Sequence, residues 1–286
     1  MRHLLLTPVL ALLLALGLSA APAPAGAAAA AADEPPPLVS VTAPSVAGVA
    51  RYGRTLVADP GGWAPGPARV RYEWRRGDQV VGTARRYPLQ PADVGQRLTL
   101  VVTASAPGYA DTPARAVTAK VKHRVDVRRT VRYSVRVKGR LGPGVDLAAF
   151  RRLAQETYDD PRGWRARGVR FVQVRRGGAF TLWLSEAARV PAFSSVCSSQ
   201  WSCRVGRNVV INVQRWQHAS PAWHRLGRSL RDYRHMVVNH ETGHWLGRGH
   251  ASCPRPGALA PVMMQQSKGL HGCRANPWPT PRELRR

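Results

Sequence analysis

Three histidines and a glycine in one short stretch, His240-Glu241-Thr-Gly-His244-Trp-Leu-Gly247-Arg-Gly-His250, constrain this chain more than any other part of it. Residues four apart on a helix lie one above the other, so His240 and His244 can offer two imidazoles to one ion. Glu241, one step round, can reach water at that ion without ligating it. An unbroken helix would carry His250 well round the axis and roughly 9 Å beyond His244, out of reach of a shared ligand. His250 can therefore join only if the helix stops, and Gly247 supplies the stop, because glycine enters the left-handed region without a Cβ penalty. In a chain of this composition the His-Glu-x-x-His part arises by chance about once in 170 sequences. The full pattern with Gly247 and His250 arises roughly once in 60,000.

The N-terminus reads as an export signal. Arg2 and His3 precede an apolar run from Leu4 to Leu18, and Ala23-Pro-Ala25 is a small-residue cleavage site. Pro8, Pro22 and Pro24 interrupt the uncharged stretch between Arg2 and Asp33, which favours cleavage after residue 25 over retention as an anchor, and no transmembrane span is expected once it is removed. Residues 26–37 follow as an Ala/Pro linker. Export places the four cysteines, Cys197, Cys203, Cys253 and Cys273, in an oxidising compartment. Three pairings are open, and the local one, Cys197–Cys203 with Cys253–Cys273, is expected. No Cys-x-x-Cys spacing occurs, which argues against a zinc ribbon. A secreted or cell-surface-associated protein follows.

Charge adds a second constraint. The chain has 43 Lys+Arg against 16 Asp+Glu, a net charge of +27. Such a field attracts anionic cell-wall polymers or acidic peptides. Nucleic acid is not an expected partner of an exported protein, and the Arg-rich, Ala/Pro-rich composition also fits a GC-rich coding bias.

Two folded regions follow the linker. Over 38–122, strand-like runs (Val39–Thr42, Thr55–Ala58, Val70–Trp74, Leu98–Thr103) alternate with Pro-Gly and Gly-Gly breakers, the pattern of an antiparallel β-sandwich. With Tyr72-Glu-Trp74, Ala92-Asp-Val-Gly95 and Pro107-Gly-Tyr109, this region resembles the bacterial immunoglobulin-like modules of secreted proteins, though it lacks an inter-sheet cysteine pair. Over 124–286 the texture changes to α+β. Val131–Val137, Val169–Val174, Phe180–Leu184 and Asn208–Val213 read as strands, Asp146 as the cap of a helix over 147–157, and about 231–246 as the helix carrying the histidines.

The histidine pattern resembles the metzincin signature. Pro261-Val-Met263-Met264-Gln265 stands where metzincins have a methionine turn beneath the metal, with Met263 the floor residue by analogy and Met264 the alternate. Asp160-Pro-Arg-Gly-Trp164, Asn212-Val-Gln-Arg-Trp216 and Gly272-Cys-x-x-Asn276-Pro-Trp-Pro extend a likeness to an uncharacterised secreted actinobacterial metzincin-like family. The resemblance implies a twisted mixed sheet with an active-site helix. It implies one catalytic Zn2+ on His240, His244 and His250, Glu241 as general base, and a peptide or protein substrate laid along a sheet edge, with 180–184 and 196–205 the candidate edges. Gln265 stands where some metzincins carry a tyrosine ligand, which leaves three histidines and water. No cysteine precedes Cys197, so the first region is no cysteine-switch propeptide.

The function expected is therefore a secreted zinc endopeptidase. The alternative is a non-catalytic surface or adhesion protein with a structural metal. A structural site needs four protein ligands and has no use for Glu241. His218, His224, His235 and His271 read as structural or solvated, and Trp216, Trp223, Trp245 and Trp278 as core before subsite. No Gly-x-Ser-x-Gly elbow or Gly-x-Gly-x-x-Gly run occurs, which leaves serine-hydrolase and dinucleotide chemistry without a foothold.

Overall fold

The computed structural model describes residues 34–66 and 68–285. The export signal and most of the linker lie outside the described residues.

The first strands are short because turn residues punctuate them: β1 (Val39–Thr42), β2 (Ser45–Ala47), β3 (Thr55–Asp59), β4 (Gly62–Ala64), β5 (Arg69–Arg76), β6 (Gln79–Gly82), β7 (Arg86–Pro88), β8 (Thr99–Ser105) and β9 (Thr112–Val117). They form a β6-β5-β8-β9 sheet, a β2-β3-β7 sheet and a β1-β4 ribbon, every pairing antiparallel. Alternate residues turn inward to one core of Leu56, Ala58, Trp74, Tyr87, Leu98, Leu100 and Val102. No disulfide fastens this core. Trp74 stacks on Tyr87 at 5.5 Å and donates from Nε1 to the Ala84 carbonyl at 2.9 Å. Tyr87 donates its hydroxyl to the fully buried Asp93, whose charge is paired with Arg76 at 3.0 Å. A buried carboxylate is tolerable only with such partners.

The second region holds β10 (Arg129–Lys138), α1 (Leu147–Asp159), β11 (Val169–Val174), β12 (Phe180–Ser185), β13 (Cys203–Val205), β14 (Asn208–Asn212), α2 (Val213–His218), α3 (Pro221–His224), α4 (Leu230–Trp245) and α5 (Pro281–Arg285). Its sheet runs β11-β10-β12-β14-β13, with the first four strands parallel and β13 folded back antiparallel on β14. Strand parity puts Val131, Tyr133, Phe171, Phe180, Leu182, Leu184, Val209 and Ile211 on one face, where α1 and α4 pack. Asp146 starts α1 by accepting the Ala148 amide at 2.7 Å. The parity fixes the site: β14 and β13 lie beneath α4, and β13 is the free edge of the sheet beside it. Of the two candidate edges, 180–184 is interior, held between β10 and β14, whereas 203–205 is the edge.

Two disulfides join the local pairs, Cys197–Cys203 and Cys253–Cys273. The first pins the segment before β13 over Val190 and Val210 on the other face of the sheet. The second spans 20 residues and closes the loop that carries Met263 and Met264. Closing a loop of that length stabilises by about 3 kcal/mol on the chain-entropy model. No helix among the described residues is long and apolar enough to cross a membrane.

Candidate metal centre

Ser229 opens α4, its side chain accepting the Asp232 amide at 3.0 Å. Residues 235–243 of that helix are all buried, so it runs through the interior rather than over the surface. Close approach sets its position. A Cβ on Gly243 would overlap the Met263 sulfur and lie 2.8 Å from Cζ2 of Trp164, so only glycine lets the helix sit this deep. Trp164 is fixed in turn by its Nε1–H, which donates to the Asn239 carbonyl at 2.9 Å.

The helix ends as the sequence requires. Gly247 takes φ +86° and its amide returns to His244 O at 3.0 Å, while the Arg248 amide bonds Gly243 O at 2.9 Å. The chain reverses there and brings His250 back to the helical pair. His244 Nε2 then stands 3.2 Å from His240 Nε2 and 3.1 Å from His250 Nε2. Carbonyls hold two of the rings from behind: His240 Nδ1 donates to Val262 O at 2.8 Å and His244 Nδ1 to Arg248 O at 2.7 Å. A neutral imidazole that donates from Nδ1 presents a lone pair at Nε2. Two lone pairs facing each other at 3.2 Å repel unless a cation lies between them. Nitrogens bound tetrahedrally to zinc at about 2.0–2.1 Å lie about 3.3 Å apart, so the donor set fits zinc. Burial drives the rings to the neutral form that ligation needs: desolvation takes His240 down to about 3, helped by His244, and also lowers His244 and His250.

Glu241 lies beside this cluster, 6% exposed, and desolvation pushes its carboxyl up to about 8 in the absence of a cation. It lines a cavity of about 530 Å³ with His240, His244 and His250. One wall is the segment 196–204 leading into β13, and the other is 265–268. Gln265 is exposed in that second wall.

Met263 belongs to the main core under α4, whereas Met264 packs with the Cys253–Cys273 bridge, which separates the two methionines that the sequence left open. Trp216 and Trp223 are core, and Trp278 is buried against His235 at 4.9 Å. His235 itself faces Thr157, away from the cluster. The tryptophan that lines the cavity is Trp201, which the sequence did not single out.

A second unforeseen residue is Glu283 of α5. Its carboxylate accepts the amides of Val262 at 3.1 Å and Met263 at 2.8 Å, and the amide and hydroxyl of Thr280 at 2.7 and 2.8 Å. It thereby holds the peptide whose carbonyl orients His240. The Thr280-x-x-Glu283 spacing was visible as a helix cap, which signals only its local role.

Among families, a model described as "Protein of unknown function (DUF3152)" matches residues 104–276. No curated protein and no solved structure matches the chain. This overturns the two resemblances read from the sequence, because neither a metzincin nor an immunoglobulin-like family is what matches. The physical reason is scale. Eleven residues, 240–250, suffice to converge three imidazoles, and so short a requirement does not define a family. In the N-terminal region the cited strand motifs record turn and packing needs common to many antiparallel sheets. The match also starts at Ala104, inside β8, rather than at the change of texture near residue 124.

Proposed function

Since the chain belongs to the DUF3152 family, whose description assigns no activity, its chemistry is read from its own site, and we propose that it is an exported zinc-dependent endopeptidase. The observation that carries this reading is the pair of Nδ1-anchored imidazoles whose Nε2 atoms face each other at 3.2 Å, with a third at 3.1 Å and a buried carboxylate alongside. His240, His244 and His250 would hold the ion, and the group of His, Cys and acidic residues found there contains these three alone. Three ligands rather than four favour catalysis over structure.

A zinc ion so held would supply Lewis acidity toward a carbonyl oxygen and toward water. The protein supplies the rest. The free edge of β13 runs along the cavity and offers backbone donors and acceptors to an extended peptide, which would place a scissile carbonyl over the histidines. Glu241 takes the proton of the attacking water on a carboxylate oxygen and returns it to the departing amide nitrogen. Burial raises the affinity of its carboxylate for a proton above that of a solvated one, which suits it to accept the proton of water. Val262 O and Arg248 O keep the two helical imidazoles from turning while the proton moves. The two disulfides and the N-terminal signal pattern support action outside the cell.

The test is Glu241→Ala in the zinc-loaded mature protein. Hydrolysis of an unstructured protein such as casein is expected to fall by at least 100-fold while zinc stays bound. Unchanged hydrolysis with the metal in place would reject the reading.

A further inference from the structure

The walls of the cavity carry an uneven set of charges. Arg204 projects from the edge strand on one side and Lys268 from the opposite wall, Arg248 adds a third cation from the turn after α4, and Glu241 is the only carboxylate among the described residues that line the space. Parity shows that Arg204 is aimed: it pairs with Val209, a residue of the helix-facing side of the sheet, so it points toward α4 rather than away. Arg204 and Lys268 both line the space that holds the three histidines, one from β13 and the other from the segment 265–268. Neither forms an ion pair with a carboxylate among the described residues, although other arginines do, Arg76 with Asp93 and Arg231 with Glu156 among them.

Lys268 leans on the half-buried Trp201 ring at 6.0 Å, and the Arg215 guanidinium stands 5.6 Å from the same ring. Trp201 therefore supplies an apolar wall edged with positive charge, a surface that takes the aliphatic stem of a side chain ending in an anion. Arginine and lysine left without carboxylate partners on the two walls of one cleft favour an incoming anion and repel an incoming cation. The one acid present, Glu241, is committed to the ion and to proton transfer and cannot neutralise both walls.

We propose that this cleft selects peptides bearing a carboxylate close to the bond over the histidines, with Arg204 and Lys268 as the specificity-determining residues. The carboxylate can come from an Asp or Glu side chain or from a free chain terminus, and the two sources are separable by experiment. The proposal rests on the endopeptidase reading for its cleavage readout but not for its binding readout.

Zinc-loaded Glu241→Ala protein is titrated calorimetrically with four short peptides of one sequence, containing Glu or Gln at the central positions and ending in a free acid or an amide. The Glu peptides are expected to bind at least tenfold tighter than the Gln peptides, and the difference to shrink in 1 M NaCl. A preference that follows the terminus instead assigns the site to chain-end carboxylates. Arg204→Gln with Lys268→Gln, both exposed positions, should abolish the preference, and Lys268→Glu should turn it toward Lys-containing peptides. Equal affinities for all four peptides, or a preference that survives in the double variant, would overturn the proposal. Selective binding by the Glu241→Ala protein with no cleavage by the wild type would uphold it while rejecting the peptidase. Equal cleavage of Glu and Gln peptides by the wild type would do the reverse.

Discussion

Gly243→Ala sets two effects of known size against each other. Within a helix, alanine is more favourable than glycine by about 1 kcal/mol, so propensity alone predicts a stabilised protein. The added methyl has no space, however. It would overlap the Met263 sulfur and lie 2.8 Å from Cζ2 of Trp164. The methionine sulfur can swing away at some cost, but its backbone cannot follow, because the Met263 amide is held by Glu283 at 2.8 Å. The indole is fully buried and tied through Nε1 to Asn239 O, so it yields only by shifting α4 or the chain at 163–164. Overpacking of this kind costs about 1–3 kcal/mol, and the net expectation is a loss of about 1 kcal/mol. Urea denaturation of the metal-free protein reads this as a lowered midpoint at unchanged slope. Because the displaced Met263 follows Val262, whose carbonyl holds the His240 ring, zinc affinity should fall as well. In a double-mutant cycle, Trp164→Phe removes the Cζ2 atom and should relieve the clash, with a coupling of about 1 kcal/mol. A variant as stable as wild type, or more stable, would show that the close approach does not set the depth of α4.

Further expectations follow from the surroundings of the site. Glu283→Gln puts an amide NH2 where an acceptor is needed for the amides of Val262 and Met263. Stability should drop by about 1.5–3 kcal/mol, and zinc affinity by 10–100-fold through loosening of the Val262 carbonyl behind His240. Competition with a chromophoric chelator measures the affinity, and an unchanged zinc constant would remove Glu283 from the support of the site. His235 donates from Nδ1 to Thr157 Oγ1, whose own proton goes to Leu153 O, and burial lowers its pKa from 6.5 to about 4. The unfolded chain then binds a proton between those values that the folded chain refuses. The stability His235 contributes is complete above about pH 6.5 and is lost as pH falls toward 4, at about 1.4 kcal/mol per unit. Relative to His235→Gln, metal-free wild type should show the steeper acid loss, and parallel profiles would contradict this.

Legibility in the sequence followed how local each cause is. The convergence of His240, His244 and His250 was readable because helix pitch and one glycine determine it, and the structure brings those three rings together. The local disulfides were readable from chain closeness and compartment. Glu283 was not, since its partners at 262 and 263 lie across a loop and no spacing rule links them. The edge at 203–205 was legible only as one of two candidates, because which strand ends a sheet depends on the pairing of all five. The role of Trp201 is set by the Cys197–Cys203 bridge and by Lys268 and Arg215 around it, a tertiary arrangement without a local signature. Family membership was misread for the opposite reason. The signature is so local that it fixes a convergence of three rings and not a lineage.

X-ray absorption at the zinc edge, on protein loaded with one equivalent of the metal, tests the central geometry most directly. Three imidazole nitrogens and one further oxygen scatterer at about 2.0–2.1 Å are predicted, with the imidazole contribution reduced by one ring in His250→Ala. A spectrum without three imidazoles, one requiring a fourth protein ligand, or a failure to retain one zinc per chain would contradict it.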